Sequence, residues 1–262
     1  MINFNRVFAM VIRDFLNLRH VPDRLADMFY WPIVDLLLWG LVGLYFAQKN
    51  SNFPYAVPVI LTGLVFWIAI WRGQFEININ LLSEIWDKNL VNILASPLKP
   101  IEWMLSFLIF GGIKMLISLA FSAFMAFLLY HFNIFIYGFS IIPFMLSLLI
   151  TGWAVGFFVA GFLIYFGQRI QTIAWSAVFL IIPFSAPYYS VSTLPPWAQI
   201  ISKAIPSSYV FEGLRQILFT GNYSSDKLFI SFGLNFVYLI LSVWFFMFMF
   251  EKSRKLGLGR LI

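Results

Sequence analysis

The sequence predicts an all-α integral membrane protein with six transmembrane helices. Of its 262 residues, 61% are hydrophobic and 11% are charged, whereas soluble domains are about 45–50% apolar and about 25% charged. A larger core does not explain this difference, because a soluble fold still needs a charged surface. The apolar residues are also grouped into stretches of roughly 20, the length that spans a bilayer as a helix.

The chain begins with a predicted amphipathic helix over residues 3–20. Apolar side chains recur there at steps of three and four, which places them on one helical face: Phe4, Phe8, Val11, Phe15 and Leu18. Polar side chains fall on the opposite face: Arg6, Arg13 and Asn17. An aromatic face opposite a basic face is typical of a helix that lies in the membrane interface. Packing against a soluble core is the alternative.

Six apolar segments follow, and each is predicted to cross the membrane: residues 29–47, 56–77, 101–129, 141–166, 172–189 and 228–250. The fifth segment is the shortest and contains Pro183 and Pro187. Proline is tolerated in a membrane helix where neighbouring groups satisfy the freed carbonyls. The whole chain, residues 1–262, is therefore predicted to form one transmembrane domain.

The distribution of Lys and Arg predicts that both termini are cytoplasmic, because cytoplasmic loops carry the excess of positive charge. Six spans place 11 cationic residues on one side: Arg6, Arg13, Arg19, Arg24, Lys88, Lys99, Arg169, Lys252, Arg254, Lys255 and Arg260. The other side holds four: Lys49, Lys203, Arg215 and Lys227. The net charge of +6 therefore indicates topology in a plasma or inner cell membrane. We expect no nucleic-acid partner.

Residues that commonly carry catalysis or bind metals are scarce. The chain has no Cys, which excludes thiolate chemistry and Cys metal sites. Its two histidines, His20 and His131, are far apart in the sequence. A phosphate-binding loop requires a Gly-Lys dipeptide, and none occurs. We therefore expect no catalytic residue, no metal site and no nucleotide bound in this way.

Five charged residues lie inside the predicted spans: Asp35, Arg72, Glu76, Lys114 and, at the start of the third span, Glu102. Asp35 lies about six residues into the first span, Arg72 lies at a comparable depth in the second, and Glu76 follows one turn later. Because a charge in lipid costs at least ~2.5 kcal/mol, we expect an Asp35–Arg72–Glu76 cluster. Separate snorkelling of these side chains to the interface is the alternative. Lys114 lies near mid-membrane, where it either faces a pathway for an anionic substrate or pairs with another span.

The segment 83–96 is predicted to form a short helix between the second and third spans. Ser83 favours the start of a helix, and Pro97 and Pro100 favour its end. The helix is either a plain connector or a surface that a cytoplasmic partner presses to transmit force to both spans. Its candidate contact residues are Glu84, Trp86, Asp87, Lys88, Asn89, Asn92, Leu94, Ser96 and Pro97.

Residues 195–220, before the last span, are predicted to form a pair of helices that we call the outer hairpin. Pro206 separates the two helices, and Gly221 suits the end of the second. Each helix of about ten residues covers roughly half of the hydrocarbon thickness. The hairpin therefore either dips into the membrane or lies on its outer surface, and an inert loop is a further alternative. Its candidate exit-lining residues are Pro195, Pro196, Trp197, Pro206, Tyr209, Glu212 and Arg215.

These two segments resemble type-two ABC transporter permeases. Leu94-Ala95-Ser96-Pro97-Leu98 looks like the cytoplasmic loop of that family. The stretch from Leu194-Pro195-Pro196-Trp197 through Pro206 to Phe211-Glu212-Gly213-Leu214-Arg215 is similar to its outer region, and residues 252–257 fit its ending. The resemblance implies half of a dimeric exporter, a homodimer or heterodimer, on a separate cytoplasmic ABC ATPase subunit that binds the ATP. It also implies that 83–96 is the coupling helix and that the outer hairpin is a gate.

Three other functions are compatible with six spans. An ion-coupled secondary transporter needs carboxylates or His near mid-membrane, but Asp35, Glu76 and Glu102 lie toward one end of their spans. A membrane-embedded enzyme needs a cluster of catalytic side chains, but the carboxylates are scattered. A structural scaffold is the third. The aromatic content of 20% leaves hydrophobic, lipid-like and glycan substrates open.

Overall fold

The computed structural model describes residues 2–49, 56–223 and 225–257, and these residues are helical or irregular without any strand. Five helical stretches among them are long and apolar enough to cross a membrane: Pro22–Lys49, Ala56–Trp86, Pro100–Tyr130, Ile134–Ser185 and Ser225–Lys255. The predicted all-α membrane class is therefore confirmed. Ile134–Ser185 contains the predicted fourth span and most of the fifth. Arg260 lies outside the described residues.

The bounds of the helices differ from the predicted spans chiefly at polar ends. The helices are α1 Phe4–His20, α2 Pro22–Lys49, α3 Ala56–Trp86, α4 Leu90–Ala95, α5 Pro100–Tyr130, α6 Ile141–Phe166, α7 Gln171–Ser176, α8 Ile182–Ser185, α9 Pro196–Ala204, α10 Pro206–Thr220 and α11 Ser225–Lys255. Helices α2, α3 and α11 all continue beyond the apolar segments from which they were predicted, because helical hydrogen bonding does not require apolar side chains.

Helix α3 forms the centre of the bundle, and from Leu61 to Ile85 nearly every side chain is buried. Helices α2, α5 and α6 pack around it. Its last third carries Asn78, Asn80 and Glu84, which are polar and end the apolar pattern. All three side chains are nevertheless buried. The helix therefore continues nine residues past the predicted end at 77, to Trp86.

Helices α3 and α6 approach each other closely through glycines. A Cβ atom on Gly152 would lie 2.5 Å from the carbonyl oxygen of Ile70, and one on Gly156 would lie 3.2 Å from the Cα of Gln74. Residue numbers rise together on the two helices, so α3 and α6 run in the same direction. Because glycine has no side chain, the two backbones can come into contact at this crossing.

The chain reverses direction after α6, at Gly167, which has a φ of 67°. Beyond it, Trp175 packs on Phe75 and Phe179 packs on Trp71, with ring centroids 5.3 and 5.1 Å apart. As the residue numbers rise along this segment, the numbers of their contact partners on α3 fall. This segment therefore runs antiparallel to α3. It consists of short turns of 3₁₀ and α-helix: Gly167–Ile170, Gln171–Ser176, Ala177–Ile181 and Ile182–Ser185.

The apolar side chains of helix α1 are divided between two environments. Val7, Val11 and Leu18 are buried against the bundle. A neighbouring stripe is exposed, with Phe4 63% and Phe8 54% accessible, and Ile12 and Leu16 more than half exposed as well. The helix is therefore fixed to the bundle while its aromatic side remains uncovered.

Candidate functional site

The chain turns sharply between α3 and α4, so the predicted helix over 83–96 is divided in the structure. Lys88 has a left-handed φ of 55°. The N–H of Asn89 donates to the Glu84 carbonyl (2.9 Å), and the N–H of Lys88 donates to the Ile85 carbonyl (3.1 Å). These are the two bonds of a Schellman motif, which ends many helices. Ser83 and Glu84 therefore belong to α3, and α4 is a separate helix.

The turn and α4 present an exposed surface, which we call the α3–α4 platform: Trp86, Asp87, Lys88, Asn92, Ser96 and Pro97. Its other side is anchored by Leu90 and Ile93, which are buried in the apolar core. Of the predicted contact residues, Glu84 is buried and Asn89 is half-buried, and the Asn89 amide donates to Glu84 Oε2 at 2.7 Å. These two residues support the platform from beneath. Leu94 lies within α4.

The start of helix α1 braces the far end of this platform. The Arg6 guanidinium donates to the Pro97 carbonyl at 2.5 Å and lies 3.6 Å from the Glu102 carboxylate. Glu102 is fully buried and accepts from the backbone N–H groups of Asn3 (2.8 Å) and Lys99 (3.0 Å). Any movement of α4 relative to α5 must therefore also move α1 or break these bonds.

Further along α1, one guanidinium is shared by two buried carboxylates. Arg13 forms ion pairs with Glu84, at the end of α3, and with Asp14 at 3.0 Å. Burial raises the pKa of Asp14 to about 6, even though the Arg13 charge acts in the opposite direction. Asp14 Oδ2 is also buried, and it has no hydrogen-bond partner among the residues that the structure describes. The carboxylate of Asp14 is therefore the weakly stabilised member of this group.

We expect Asp14→Asn to remove a pH dependence of stability. The pKa in the folded state exceeds the ordinary value of 3.8, so the folded protein holds a proton that the unfolded chain releases. Stability must then fall as the pH rises from about 4 to about 6. The variant should melt above the wild type at pH 7, an advantage that disappears at pH 4. A difference in melting temperature that is constant from pH 4 to 7.5 would contradict this.

The bundle interior contains a charge cluster of two acids and two bases: Asp27, Arg72, Glu76 and Lys114. Arg72 lies 2.5 Å from the Asp27 carboxylate, and it also donates to the Asp27 carbonyl at 2.6 Å. Glu76 Oε1 lies 2.6 Å from Lys114 Nζ and 3.5 Å from Arg72. Arg72, Glu76 and Lys114 are each 1% exposed. The cluster joins α2, α3 and α5 and carries no net charge.

The expected cluster was wrong in one member, because Asp27 rather than Asp35 pairs with Arg72. Asp35 lies two turns further along α2 and is exposed. Lys114 is paired with Glu76 of α3, as in one of its two predicted alternatives. Neighbouring Gly111 lets α5 approach α3, since a Cβ there would lie 3.0 Å from the Glu76 Cβ.

In the outer hairpin, Glu212 and Arg215 fasten α10 to the chain that follows α8. Arg215 lies 2.8 Å from Glu212 and donates to the carbonyls of Ala186 (2.8 Å) and Tyr189 (2.6 Å). Glu212 in turn accepts from the Val191 N–H at 2.7 Å. The ion pair predicted from the i, i+3 spacing is therefore present. It also holds the backbone carbonyls and the N–H group of this non-helical connection in place.

The remaining predicted residues of the outer hairpin are placed separately. Pro196 and Pro206 each lie at the start of a helix, with Pro195 capping the first. Trp197 is 61% exposed. The Tyr209 hydroxyl donates to the Lys203 carbonyl at 2.9 Å, which ties α10 to α9.

We expect Glu212→Gln to loosen the connection after α8. The variant keeps the shape of the side chain but leaves the buried Arg215 without its counter-ion, which costs about 1–3 kcal/mol for a partly buried pair. Thermolysin or chymotrypsin should then cleave near residues 186–191 more rapidly. Glu251→Gln is the matched control, since the Glu251–Arg254 pair has the same spacing and distance but is exposed. Equal effects of the two variants would contradict a role for burial.

The sequence pattern missed two groups of residues. Asp27 lies before the predicted first span and was therefore not considered as an intramembrane partner. The second group joins α6 to α11: Asn235 donates to the Ser147 carbonyl at 2.8 Å, Thr151 donates to Asn235, and Ser231 bonds both Ser147 and the Pro206 carbonyl. Interhelical bonds of Ser, Thr and Asn are common in membrane bundles, but their partners depend on helix rotation.

The all-helical bundle with its long apolar helices defines an integral membrane protein. The sequence model of the ABC-2 type transporter family matches residues 5–219, nearly the whole chain, and the chain belongs to that family. No curated protein shows significant similarity to the chain. Permease domains of this family are membrane subunits for transport that generally work with an ABC ATPase partner, and they are not catalytic themselves. The predicted type-two ABC permease class is therefore confirmed.

Proposed function

We propose that this chain is the permease subunit of an ATP-driven exporter, paired with a second permease copy and driven by a separate cytoplasmic ATPase. The α3–α4 platform is the observation that carries the proposal. It presents exposed Trp86 beside two adjacent charges of opposite sign, Asp87 and Lys88. It is also attached rigidly to α3 and α5. Exposed tryptophan is favoured at protein interfaces, and a platform attached to two long helices transmits a push to both of them.

Six membrane crossings are supported by the direction of the helices. Helix α6 runs parallel to α3, and the segment after Gly167 runs antiparallel to both. The stretch Ile134–Ser185 thus crosses twice rather than once. An even number of crossings places both termini on one side, and the excess of Lys and Arg favours the cytoplasm for that side. The exposed aromatic stripe of α1 then suits the cytoplasmic interface of the cell membrane.

The route for the substrate lies along the outside of the bundle rather than through its interior. The charged side chains of Arg72, Glu76 and Lys114 are buried, and they form ion pairs with one another and with Asp27. A pathway lined by them would require the bundle to open and the ion pairs to separate. Hydrophobic, lipid-like and glycan substrates all fit a path along the outside of the bundle, with the outer hairpin at its exit.

Site-specific crosslinking tests this proposal. The chain has no native Cys, so single variants Asp87→Cys and Asn92→Cys carry one reactive group each on the platform. We expect both to crosslink to an ABC ATPase subunit in native membranes. Ile200→Cys, which is exposed on α9, is the control and should not. Crosslinking from position 200 but not from 87 or 92 would reverse the proposed orientation.

A further inference from the structure

Helix α2 displays an acidic residue between two exposed tryptophans. Trp31, Asp35 and Trp39 are spaced by four residues and therefore lie on one helical face, which we call the aromatic–acid stripe. Trp31 is 50% exposed, Trp39 is 41% exposed, and Asp35 is also exposed. Tyr188 stacks on Trp39 with ring centroids 5.8 Å apart and nearly parallel planes, which extends the aromatic surface beyond α2.

Within the part of the protomer that the structure describes, which does not include Arg260, the Asp35 carboxylate has no cationic partner. Across residues 2–49, 56–223 and 225–257, Lys and Arg form ion pairs with other acids but not with Asp35. Residues 50–55 contain no Lys or Arg. Asp35 lies about six residues inside the apolar segment that begins at residue 29, roughly 9 Å along the helix axis at 1.5 Å per residue. In this apolar segment the ionised carboxylate needs a counter-charge or water.

We propose that the aromatic–acid stripe binds a lipophilic organic cation, such as an alkylammonium, within the membrane. A carboxylate supplies the counter-charge, and tryptophan faces attract a cation whose centre lies within about 6 Å of the ring. One helical turn separates Asp35 from each tryptophan, about 6 Å along the axis, so a single cationic group reaches the acid and one indole together. The inference rests on the proposed function in that it names a substrate class for a path along the outside of the bundle.

The chemistry of the stripe favours a cation over a second copy of the chain. A second copy related by two-fold symmetry brings the same patch against itself, which would place two Asp35 carboxylates near each other without a base between them. A phospholipid headgroup also carries an ammonium, but it lies at the membrane surface, whereas Asp35 lies inside the apolar segment. A cation that partitions into the membrane reaches Asp35 directly.

Binding of radiolabelled tetraphenylphosphonium to the purified chain in phosphatidylglycerol nanodiscs tests this, with empty discs as the blank. We expect Asp35→Asn to weaken binding at least tenfold and Trp39→Leu to weaken it about threefold, in keeping with one cation–π contact. Trp244→Leu, which removes a tryptophan 63% exposed on α11, should leave binding unchanged. Wild-type affinity in Asp35→Asn would overturn the proposal.

Two further arms test the rival occupants. Adding phosphatidylcholine to the discs should not change the affinity, and a tenfold loss would assign the stripe to lipid headgroups instead. A single Leu38→Cys variant, exposed beside the stripe, should not form a disulfide-linked dimer, and a dimer would assign this face to a second copy. Binding is measured without ATPase or ATP. Loss of crosslinking to the ATPase therefore overturns only the proposed function, and loss of cation binding overturns only this inference.

Discussion

Glu76→Gln is expected to destabilise the protein by about 3–5 kcal/mol, the cost of leaving a buried charge without its partner. Glu76 is the acid nearest to Lys114, at 2.6 Å, and it also lies 3.5 Å from Arg72. Its loss leaves two cations with the single carboxylate of Asp27, which contacts Arg72 but forms no ion pair with Lys114. Thermal denaturation in mild detergent, followed by size-exclusion chromatography, measures the effect.

The second substitution Lys114→Met provides the control. In the double variant the unpaired ammonium is gone, and the Arg72–Asp27 pair remains intact. We expect the double variant to recover at least half of the stability lost in Glu76→Gln, because apolar replacements of buried pairs are often well tolerated. A double variant no more stable than Glu76→Gln alone would mean that the Glu76–Lys114 contact does not hold α3 to α5.

Gly152→Ala is expected to destabilise the α3–α6 crossing by about 1–3 kcal/mol, the usual cost of overpacking. The new Cβ would lie 2.5 Å from the carbonyl oxygen of Ile70 and 3.1 Å from the Gly73 Cα. Both are backbone atoms, so no side-chain rotation relieves the clash and the two helices must separate. The melting temperature of the variant should fall, and the yield of folded protein from membranes should fall with it.

Gly112→Ala is the matched control, since a Cβ at that position would meet no atom of the described residues within 4 Å. Alanine is favoured over glycine in a helix by about 1 kcal/mol, so this variant should be neutral or slightly more stable. The two substitutions are chemically identical and lie in long membrane helices. Equal changes in melting temperature would show that helix propensity, rather than the close crossing, decides the effect at Gly152.

The apolar segments were enough to predict the class of fold and the approximate position of each long helix. They did not predict how far α3 continues, because Asn78, Asn80 and Glu84 are polar and their burial comes from neighbouring helices. The same limit explains why Asp35, and not Asp27, was predicted as the partner of Arg72. Both precede Arg72 in the chain, and which of them faces Arg72 depends on the rotation and tilt of α2, which hydropathy does not encode.

In the candidate sites, the sequence predicted which residues matter better than it predicted how they are arranged. Glu212 and Arg215 were paired from their spacing alone, and the pair forms. The segment 83–96 was predicted as one helix, but the left-handed Lys88 divides it. Lysine has no particular preference for this conformation, whereas glycine at that position would have indicated the break. The support that α1 gives through Arg6 and Arg13 depends on contacts across about 70 to 90 residues of sequence, which no local pattern reveals.

The most direct test of the central claim is purification of the tagged chain from its native membranes in mild detergent, with the partners identified by mass spectrometry. We expect an ABC ATPase subunit to be recovered in equal amount, and we expect Trp86→Ala to reduce its recovery at least tenfold, since exposed tryptophans often dominate binding energy. Recovery of the intact permease without any ATPase would contradict it.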